Sequence, residues 1–386
     1  WPLVRYAIVA AFMATALWPA SAPADEPAGI AVGVLSPWTG ALAPAGQRLK
    51  NGVDVAVSEI NASGGLLGLD LAVRLEDNRS SPETAAQAAR QLADAGTGVI
   101  IAGGPAGAAL QAAEVAAEEH IPLIATLSLD AVQRDTGWIF SAAFAEELRA
   151  RAQARYMAGT LGCVRPLQIV DVADEESVAR ATLTADALQE AGVPFVAGTG
   201  SQPEEREIAA QLGEACAVDA DCLMWVGPLS AASAVRTQMV ALGLGEVPLV
   251  VDFGGAATIA AGARSEIDPV AAGMLTAAQF SPEDTRPAAQ EFREHYRTVY
   301  GTLPSTEAAL AYDAVMLYRA AVQRAGSTDP HAVREALASL EGVAGLATTP
   351  SFSMGADGTA IKGVTILQSG EDGAWHFKGM VDAGTA

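Results

Sequence analysis

Basic and aromatic residues are both scarce in this chain of 386 residues. Its 23 lysines and arginines are outnumbered by 45 aspartates and glutamates, which gives a formal net charge of −22 at pH 7. Nucleic acids and anionic membranes are bound through basic patches, and no cluster of lysine or arginine occurs, so neither is expected as a partner. Aromatic residues make up 5%. The abundance of alanine and glycine favours helices packed closely on sheets over a β-sandwich.

The common signatures of enzymes are also missing. The sequence contains no G-x-S-x-G nucleophile elbow, no H-E-x-x-H zinc motif and no phosphate-binding P-loop. The four histidines, His120, His295, His331 and His376, stand apart in helical or tail contexts. The segment AGGPAG follows a predicted strand but lacks the full G-x-G-x-x-G spacing of dinucleotide sites. No catalytic residue and no cofactor are expected, and the protein is predicted not to be an enzyme.

Cysteine occurs only three times. Cys216 and Cys222 lie close together, between a predicted helix end and a predicted strand start. In an oxidising compartment this spacing predicts a small disulfide loop between them and leaves Cys163 unpaired. Because there is no C-x-x-C pair and no histidine nearby, no metal site is expected.

Long apolar runs are absent apart from one near the N-terminus. Arg5 precedes an apolar stretch from Tyr6 to Trp18, and Ala22-Pro23-Ala24 provides an A-x-A cleavage site. The stretch has about 13 residues, fewer than the roughly 20 needed to span a bilayer. Residues 1–24 are therefore predicted to be a signal peptide, which would deliver the mature protein to the periplasm.

The rest of the chain alternates short apolar runs with alanine-rich amphipathic stretches. The predicted strands are Ile30–Leu35, Leu71–Glu76, Val99–Ala102, Pro122–Thr126, Leu167–Val172, Cys222–Val226 and Pro248–Val251. The predicted helices between them are Gly46–Asn61, Pro82–Ala95, Gly107–His120, Ala145–Leu161, Val178–Ala191, Arg206–Cys216 and Ala231–Leu242. This order predicts an α/β fold with two Rossmann-like lobes of parallel sheet joined by a hinge. A ligand site is expected in the cleft where the carboxyl ends of the strands meet.

Residues 30–70 carry the most specific motifs, LSPWTG after the first strand and EINASGGLLG at the end of the first helix. They resemble the opening of the periplasmic leucine/isoleucine/valine-binding proteins, which supply solutes to ABC importers. The resemblance continues through LEDNRSSPETAAQAARQL, VIIAGGPAGAALQAAEVAAEEHIPLIATLS and EFREHYRTVYGTLPSTEAALAYDAVMLYRAAVQRAGS. It extends over roughly residues 29–370.

The resemblance implies the type I periplasmic-binding-protein fold and a division into two lobes. Residues 28–143 and 278–348 would form the N-terminal lobe, and residues 144–277 and 349–386 the C-terminal lobe. The implied function is capture of a small organic solute (an amino acid, an amide or an apolar acid) in the cleft between the lobes, by a monomer that then docks on a membrane permease. An alternative of another class is a periplasmic sensor or accessory protein that uses the same fold to bind a ligand or a partner protein.

The resemblance also implies which residues face the ligand. The positions that it marks are Trp38, Ala106, Gly107, Leu127, Ser128 and Leu129 in the first lobe and Glu175, Leu229, Ser230, Asp252 and Phe253 in the second. Several depart from the family pattern, which has a serine at Ala106 and a threonine at Leu129. Either Ser128 replaces that threonine hydroxyl or the polar grip on an amino acid is lost.

Two further positions keep open alternatives. Asp252 is the best candidate for an ammonium partner, or else a solvated turn acid, while Phe253 would pack against the solute. Trp38 either covers an apolar part of the solute or shields the hinge. Because the amino-acid clamp is poorly retained, the sequence predicts an apolar pocket and a solute that is less zwitterionic than leucine, such as an aromatic or aliphatic acid or an amide.

Overall fold

The computed structural model describes residues 29–128, 137–193, 196–201, 205–254 and 272–382. Within these ranges the strands form two separate sheets. The first is a parallel sheet in the order β2-β1-β3-β4-β5. Its strands are β1 (Ile30–Ser36), β2 (Leu71–Asp77), β3 (Val99–Ala102), β4 (Leu123–Ala125) and β5 (Ile139–Ser141).

The second sheet is mixed. Strands β6 to β10 run parallel, and the C-terminal strand β12 joins them antiparallel to β10, with β11 and β13 paired antiparallel to β12. The order is β11-β12-β10-β9-β8-β6-β7 with β13 on β12. The strands are β6 (Pro166–Asp171), β7 (Val196–Ser201), β8 (Cys222–Val226), β9 (Leu249–Asp252), β10 (Met274–Ala278), β11 (Phe352–Met354), β12 (Ala360–Ser369) and β13 (Trp375–Asp382).

Helices connect the parallel strands, as the alternation predicts. The first sheet carries α1 (Ala43–Ala62), α2 (Pro82–Asp94) and α3 (Ala106–Glu118). The second carries α4 (Glu146–Arg155), which continues into a π-helical turn (Tyr156–Leu161), α5 (Glu175–Glu190), α6 (Glu205–Ala217) and α7 (Leu229–Ala241). The predicted α/β fold with two lobes is confirmed. Among the described helices, none is both long enough and apolar enough to cross a membrane.

Side-chain caps fix the helix starts that follow β2 and β6. The Ser81 side chain accepts a hydrogen bond from the N–H of Thr84 at the start of α2. Asp174 does the same for Ser177 at the start of α5. Such caps satisfy N–H groups that have no partner within the helix. They therefore hold two of the loops at the carboxyl edges of the sheets.

The chain returns to the first sheet after β10. Helices α8 (Pro287–Tyr300), α9 (Thr306–Ala325) and α10 (Pro330–Ala338) follow, and α9 packs along α1. The contact is close because a Cβ on Gly52 would lie 2.0 Å from the carbonyl oxygen of Ala308. Aliphatic side chains of α1, β1, β3, α9 and α10 share one buried core. The residues at which the chain passes from one lobe to the other stay a prediction.

A buried polar network lies where the chain passes between the two lobes. The Lys362 ammonium group on β12 donates hydrogen bonds to the Thr348 hydroxyl (2.6 Å) and to the Ala142 carbonyl oxygen (3.1 Å). The Thr348 hydroxyl in turn donates to Asp313 of α9. Asp313 also accepts the backbone N–H groups of Ala347 (2.7 Å) and Thr348 (3.0 Å). Lys362 thus connects the chain at Ala142 and the chain at Ala347–Thr348 with α9 of the first lobe.

The predicted Cys216–Cys222 disulfide is wrong, because Cys222 is bonded to Cys163 instead. Strands β6 and β8 are parallel neighbours, and Cys222 pairs with Pro166 in their register. The residues just before β6 therefore meet the start of β8, and the Cα atoms of the two bonded cysteines are 5.8 Å apart. Cys216 is exposed on α6 with a free thiol.

Candidate functional site

A pocket of about 330 Å³ opens in the first lobe, at the carboxyl ends of β1, β3 and β4. The starts of α1 and α9 close its other sides. Most of its surface is hydrocarbon. The lining residues are Ser36, Pro37, Leu42, Ala45, Leu49, Gly104, Pro105, Thr126, Leu127, Thr306, Glu307 and Leu310. Proteins with α/β folds bind their ligands at this carboxyl edge of the sheet.

Glu307 is the charged side chain in this lining, and it is already paired. Its Oε1 lies 2.9 Å from Nη2 of Arg48 on α1. Burial by itself raises the pKa of the Glu307 carboxyl, but the hydrogen bonds from Arg48 and Ser305 outweigh burial and hold the pKa below its ordinary value. Glu307 is therefore an ionised carboxylate, and Arg48 compensates its charge.

Two hydroxyl groups that are far apart in the sequence line the same pocket. Ser36 ends β1 and is 1% exposed, while Thr306 begins α9 and is 2% exposed. Within the part of the chain that the structure describes, neither hydroxyl makes a hydrogen bond. Because both residues line the pocket, their hydroxyl groups can form hydrogen bonds with a polar group of a ligand. The nearby Thr126 hydroxyl, by contrast, donates to the Ala102 carbonyl oxygen at 3.2 Å.

The start of α3 forms one edge of the pocket. Pro105 occupies the N-cap position and provides no side-chain hydrogen bond to the first turn. Gly104 has φ of +108°, a conformation that glycine adopts without steric cost. The predicted ligand residues Ala106 and Gly107 follow at the first two helical positions, and both are exposed. Their N–H groups lie at the positive end of the helix dipole.

The predicted residues after β4 fall into three cases. Leu127 lines the pocket and packs against the buried core. Ser128 is half-buried beside it. Leu129 lies outside the described residues. The direct contacts of these residues with a ligand stay predictions.

Trp38 does not belong to the pocket lining and is fixed to the end of β2. Its indole Nε1 donates to the Glu76 carbonyl oxygen at 2.7 Å, and its backbone N–H donates to Asp77 Oδ1 at 2.9 Å. The half-buried ring packs against the first-lobe core. Of the two sequence alternatives, these contacts favour a structural role.

Trp38→Ala is therefore expected to cost stability rather than affinity. Removing this half-buried ring should lower the free energy of unfolding by about 2 kcal/mol. Denaturant unfolding and calorimetric titration with a bound solute measure the two effects. Trp38→Phe serves as the control that keeps the ring packing and removes the hydrogen bond to Glu76. A large loss of affinity in Trp38→Ala at unchanged stability would assign the ring to the ligand instead.

On the second lobe, four predicted residues sit at the carboxyl edge of the sheet. Glu175 is exposed at the first position of α5, and Ser230 is exposed near the start of α7. Leu229 packs against the core under β8. Phe253 lies next to Trp375, with ring centroids 6.3 Å apart. Leu229 and Phe253 thus belong partly to the core, and a contact of these residues with a solute stays a prediction.

Asp252 ends β9 and is 2% exposed, so it is not a solvated turn acid. Its Oδ2 forms an ion pair with Nη1 of Arg149, and its Oδ1 lies 3.5 Å from Nε of Arg180. Arg149 also donates hydrogen bonds to Glu146, at 2.6 Å, and to Gln153. Both carboxylate oxygens face guanidinium groups, and the arginines come from α4 and α5, far upstream in sequence. The ammonium-binding role of Asp252 stays a prediction.

Of the twelve residues that line the pocket, only Leu127 was predicted from the sequence to contact the ligand. Ser36, Leu42 and Leu49 belong to the recognised opening segment, and for Leu49 the amphipathic pattern of α1 was a signal. Thr306 and Leu310 gave no such signal, because α9 reaches the pocket only after the chain has passed through the second sheet.

Comparison with known proteins gives a consistent result. The family model for periplasmic binding proteins matches residues 29–374. The Leu/Ile/Val-binding protein homolog 2 of Brucella abortus is 24% identical over 315 residues, which are 80% of this chain and 82% of that protein. The Leu/Ile/Val-binding protein BraC3 of Rhizobium johnstonii is 27% identical over 132 residues, 34% of this chain and 36% of that protein.

Solved structures share the fold along most of the chain. A putative branched-chain amino acid ABC transporter from Rhodospirillum rubrum superposes with a TM-score of 0.79 at 21% identity and covers 91% of this chain and 100% of its own. An ABC transporter substrate-binding protein from Desulfitobacterium hafniense, solved in complex with Leu, has a TM-score of 0.71 at 22% identity, with 91% and 100% covered. At these identities the likeness concerns the fold.

Proposed function

Because the chain belongs to the periplasmic binding protein family, we propose that it is the solute-binding protein of an ABC importer. It captures a small organic solute in the cleft between its lobes and presents it to a membrane permease. The observation that carries this proposal is the pocket at the carboxyl ends of β1, β3 and β4. The Leu complex of the Desulfitobacterium protein, which has the same fold, supports a small molecule as the ligand.

Closure would follow from contacts to both lobes. A solute that first lies in the first-lobe pocket gains further contacts from the second lobe only in the closed form, and this difference in binding free energy shifts the population towards closure. The chemistry is binding alone, which fits a family of substrate-binding proteins. Export through the signal peptide at residues 1–24 and a periplasmic location are part of the same proposal.

The direct test begins with the solute itself. Native mass spectrometry of the purified protein should show a co-purified small molecule, and a thermal-shift panel of organic solutes should raise the unfolding temperature for one chemical class, because ligand binding stabilises the folded state. A panel without any stabilising solute, together with no co-purified molecule, would count against solute capture.

A variant locates the binding at the pocket. Leu42 is 42% exposed and lines the pocket, so Leu42→Arg should place a charge in an apolar site without disturbing the core. Affinity for the solute is expected to fall at least about tenfold, equivalent to about 1.4 kcal/mol. Leu303, which is 49% exposed, provides the matched control Leu303→Arg. Equal affinities of the two variants would move the binding site elsewhere.

A further inference from the structure

A second pocket, of about 290 Å³, lies on the second lobe at the edge of its sheet that faces away from the cleft. Pro248 and Gly273 line this pocket, and they directly precede β9 and β10. The two parallel strands therefore begin at the pocket, whereas Asp252 ends β9 at the carboxyl edge. At about 3.3 Å per residue, the length of β9 separates the pocket from Asp252 by about 10 Å.

Two departures from regular backbone geometry bring side chains to this second pocket. The π-helical turn after α4 has hydrogen bonds between residues five positions apart, and its first and last residues, Tyr156 and Leu161, both line the pocket. On β13, Phe377 and Gly379 each have a partner on β12 while Lys378 has none, so Lys378 is the extra residue of a β-bulge. Lys378 also lines the pocket. Both kinds of irregularity are frequent at functional sites.

Arg236 brings to the pocket a cation that forms no ion pair among the described residues. Its Nε donates to the Ala272 carbonyl oxygen at 3.0 Å and its Nη1 to the Val247 carbonyl oxygen at 3.4 Å, which fixes the guanidinium group. Burial lowers the pKa of Arg236, and the charge of Glu246 raises it only in part. Burial also lowers the pKa of Arg149, but the carboxylate partners of Arg149 outweigh burial and raise it. The protein therefore leaves the charge of Arg236 available to an anion.

Three more groups at the pocket can donate hydrogen bonds and have no hydrogen-bond partner in the part of the chain that the structure describes. They are the Tyr156 hydroxyl, the Lys378 ammonium group and the Gln368 side-chain amide. Tyr156 is 8% exposed, and burial raises the pKa of its hydroxyl, so it is a protonated donor at neutral pH. Gln368 is half-buried and Lys378 is exposed. The pocket thus combines two cations with two neutral donors.

Glu246 is the acidic side chain of the same lining. It is exposed and forms no ion pair with a described residue. Two cations and one acid leave the lining with a charge of +1, on a chain whose formal net charge is −22. Repulsion from an acid in water is screened by salt, so Glu246 opposes an anion only weakly. The small volume of the pocket limits that anion to a compact molecule.

We propose that this pocket is a second ligand site and that it binds a compact oxyanion, either a phosphate or a small dicarboxylate. Arg236 and Lys378 neutralise the charge of the anion, while Tyr156 and Gln368 donate hydrogen bonds to its oxygens. Guanidinium and ammonium groups bind carboxylates and phosphates through the same charge-assisted hydrogen bonds. The site goes beyond the proposed function and does not depend on it, because it lies away from the cleft.

Inorganic phosphate and succinate are the probes for the two kinds of anion, on the unmodified protein after exhaustive dialysis. Calorimetric titration at neutral pH, with sodium chloride holding the ionic strength constant, should show saturable binding of at least one of them. Titration with sodium chloride alone measures the effect of ionic strength. Binding of phosphate without succinate identifies a phosphate ligand, and binding of succinate without phosphate identifies a carboxylate ligand. Either result supports the site.

Two variants locate the binding at the pocket. Lys378→Gln removes one of the two cations, and Tyr156→Phe removes the hydroxyl and keeps the ring. Affinity for the bound probe should fall about tenfold in Lys378→Gln and about threefold in Tyr156→Phe, the effects of a charged and a neutral hydrogen bond. The control is Arg297→Gln on α8, which removes the same charge from an exposed position of the first lobe and should leave the affinity unchanged.

Three results would overturn the proposal. The first is that neither phosphate nor succinate binds beyond the effect of sodium chloride. The second is unchanged affinity in both Lys378→Gln and Tyr156→Phe, which would place the anion elsewhere. The third is an equal loss of affinity in Arg297→Gln, which would reduce the effect to net charge. Thermal unfolding of the three variants checks that the fold is retained, and none of these results bears on solute capture in the cleft.

Discussion

Asp313→Asn is expected to lower the free energy of unfolding by about 3 kcal/mol, because it leaves Lys362 as a buried cation without its counter-ion. Lys362 is 3% exposed and Asp313 is 1% exposed. The Thr348 hydroxyl connects them, accepting from the lysine at 2.6 Å and donating to the aspartate. Urea unfolding at pH 7 measures the loss.

The loss should depend on pH in a defined direction. Burial lowers the pKa of Lys362 to about 8, although Asp313 raises it in part. Removal of Asp313 lowers this pKa further, while the lysine of the unfolded chain keeps its ordinary value. Between the two values the unfolded state binds more protons, so stability rises with pH. The deficit of Asp313→Asn relative to the natural protein should therefore be largest near pH 6 and smaller near pH 9.

A surface pair and a double variant are the controls. Glu118 pairs with Arg90 at 3.6 Å, and both side chains are more than half exposed, so Glu118→Gln should cost at most about 0.5 kcal/mol. Lys362→Met combined with Asp313→Asn removes both buried charges and should recover part of the stability. If Asp313→Asn costs no more than Glu118→Gln, the buried network does not stabilise the fold.

This network also bears on closure. Lys362 donates to Ala142, and Asp313 accepts from Ala347 and Thr348, so one hydrogen-bond network holds both of these segments. On the adjacent crossing, Arg286 donates to the Ala347 carbonyl oxygen at 2.9 Å. In the proposed closure, groups that are fixed to one another here would form the pivot.

Much of the fold could be predicted from the sequence because its strands and helices are local. Val99–Ala102 and Cys222–Val226 were predicted with the bounds that the structure shows, and most other elements differ by one to four residues. The first and second lobes each begin as repeated strand and helix, and apolar runs with glycine ends are enough to identify such units.

Strands β5, β7 and β10 are among those that were not predicted, and the reason is physical. Strand β5 (Ile139–Ser141) is only three residues long, and two of the six residues of β7 (Val196–Ser201) are glycine. Strand β10 (Met274–Ala278) contains alanines that are fully buried between neighbours. None of these has the long β-branched run that distinguishes a strand in an isolated sequence.

The candidate site was less predictable than the fold because its polar groups depend on distant partners. The sequence identifies Asp252 only as an acidic residue at a strand end. Its ion pairs with Arg149 and Arg180 form only in the folded chain. Thr306 is identified from the sequence only as a helix start, yet it lines the same pocket as Ser36. Such pairs are tertiary contacts, which residue spacing does not encode.

The disulfide also depends on a tertiary contact that residue spacing does not show. Its removal is predicted to have the second large effect on stability. The pair Cys216 and Cys222 was favoured by its short sequence spacing, whereas strand pairing of β6 and β8 joins Cys222 to Cys163 over a separation of 59 residues. A bond that closes a loop of this length restricts the unfolded chain far more than a six-residue loop would. The double variant Cys163→Ala with Cys222→Ala should therefore lower the free energy of unfolding by about 4 kcal/mol.

Cys216→Ala is the matched control, because this thiol is exposed and free. It should unfold at the same urea concentration as the natural protein. Dithiothreitol should destabilise the natural protein and Cys216→Ala equally and leave the double variant unchanged, since the double variant has no disulfide to reduce. If Cys216→Ala were the destabilised variant instead, the bond in solution would involve Cys216. The close approach of Cys163 to Cys222, which follows from the order β6-β8 in the sheet, would then need another explanation.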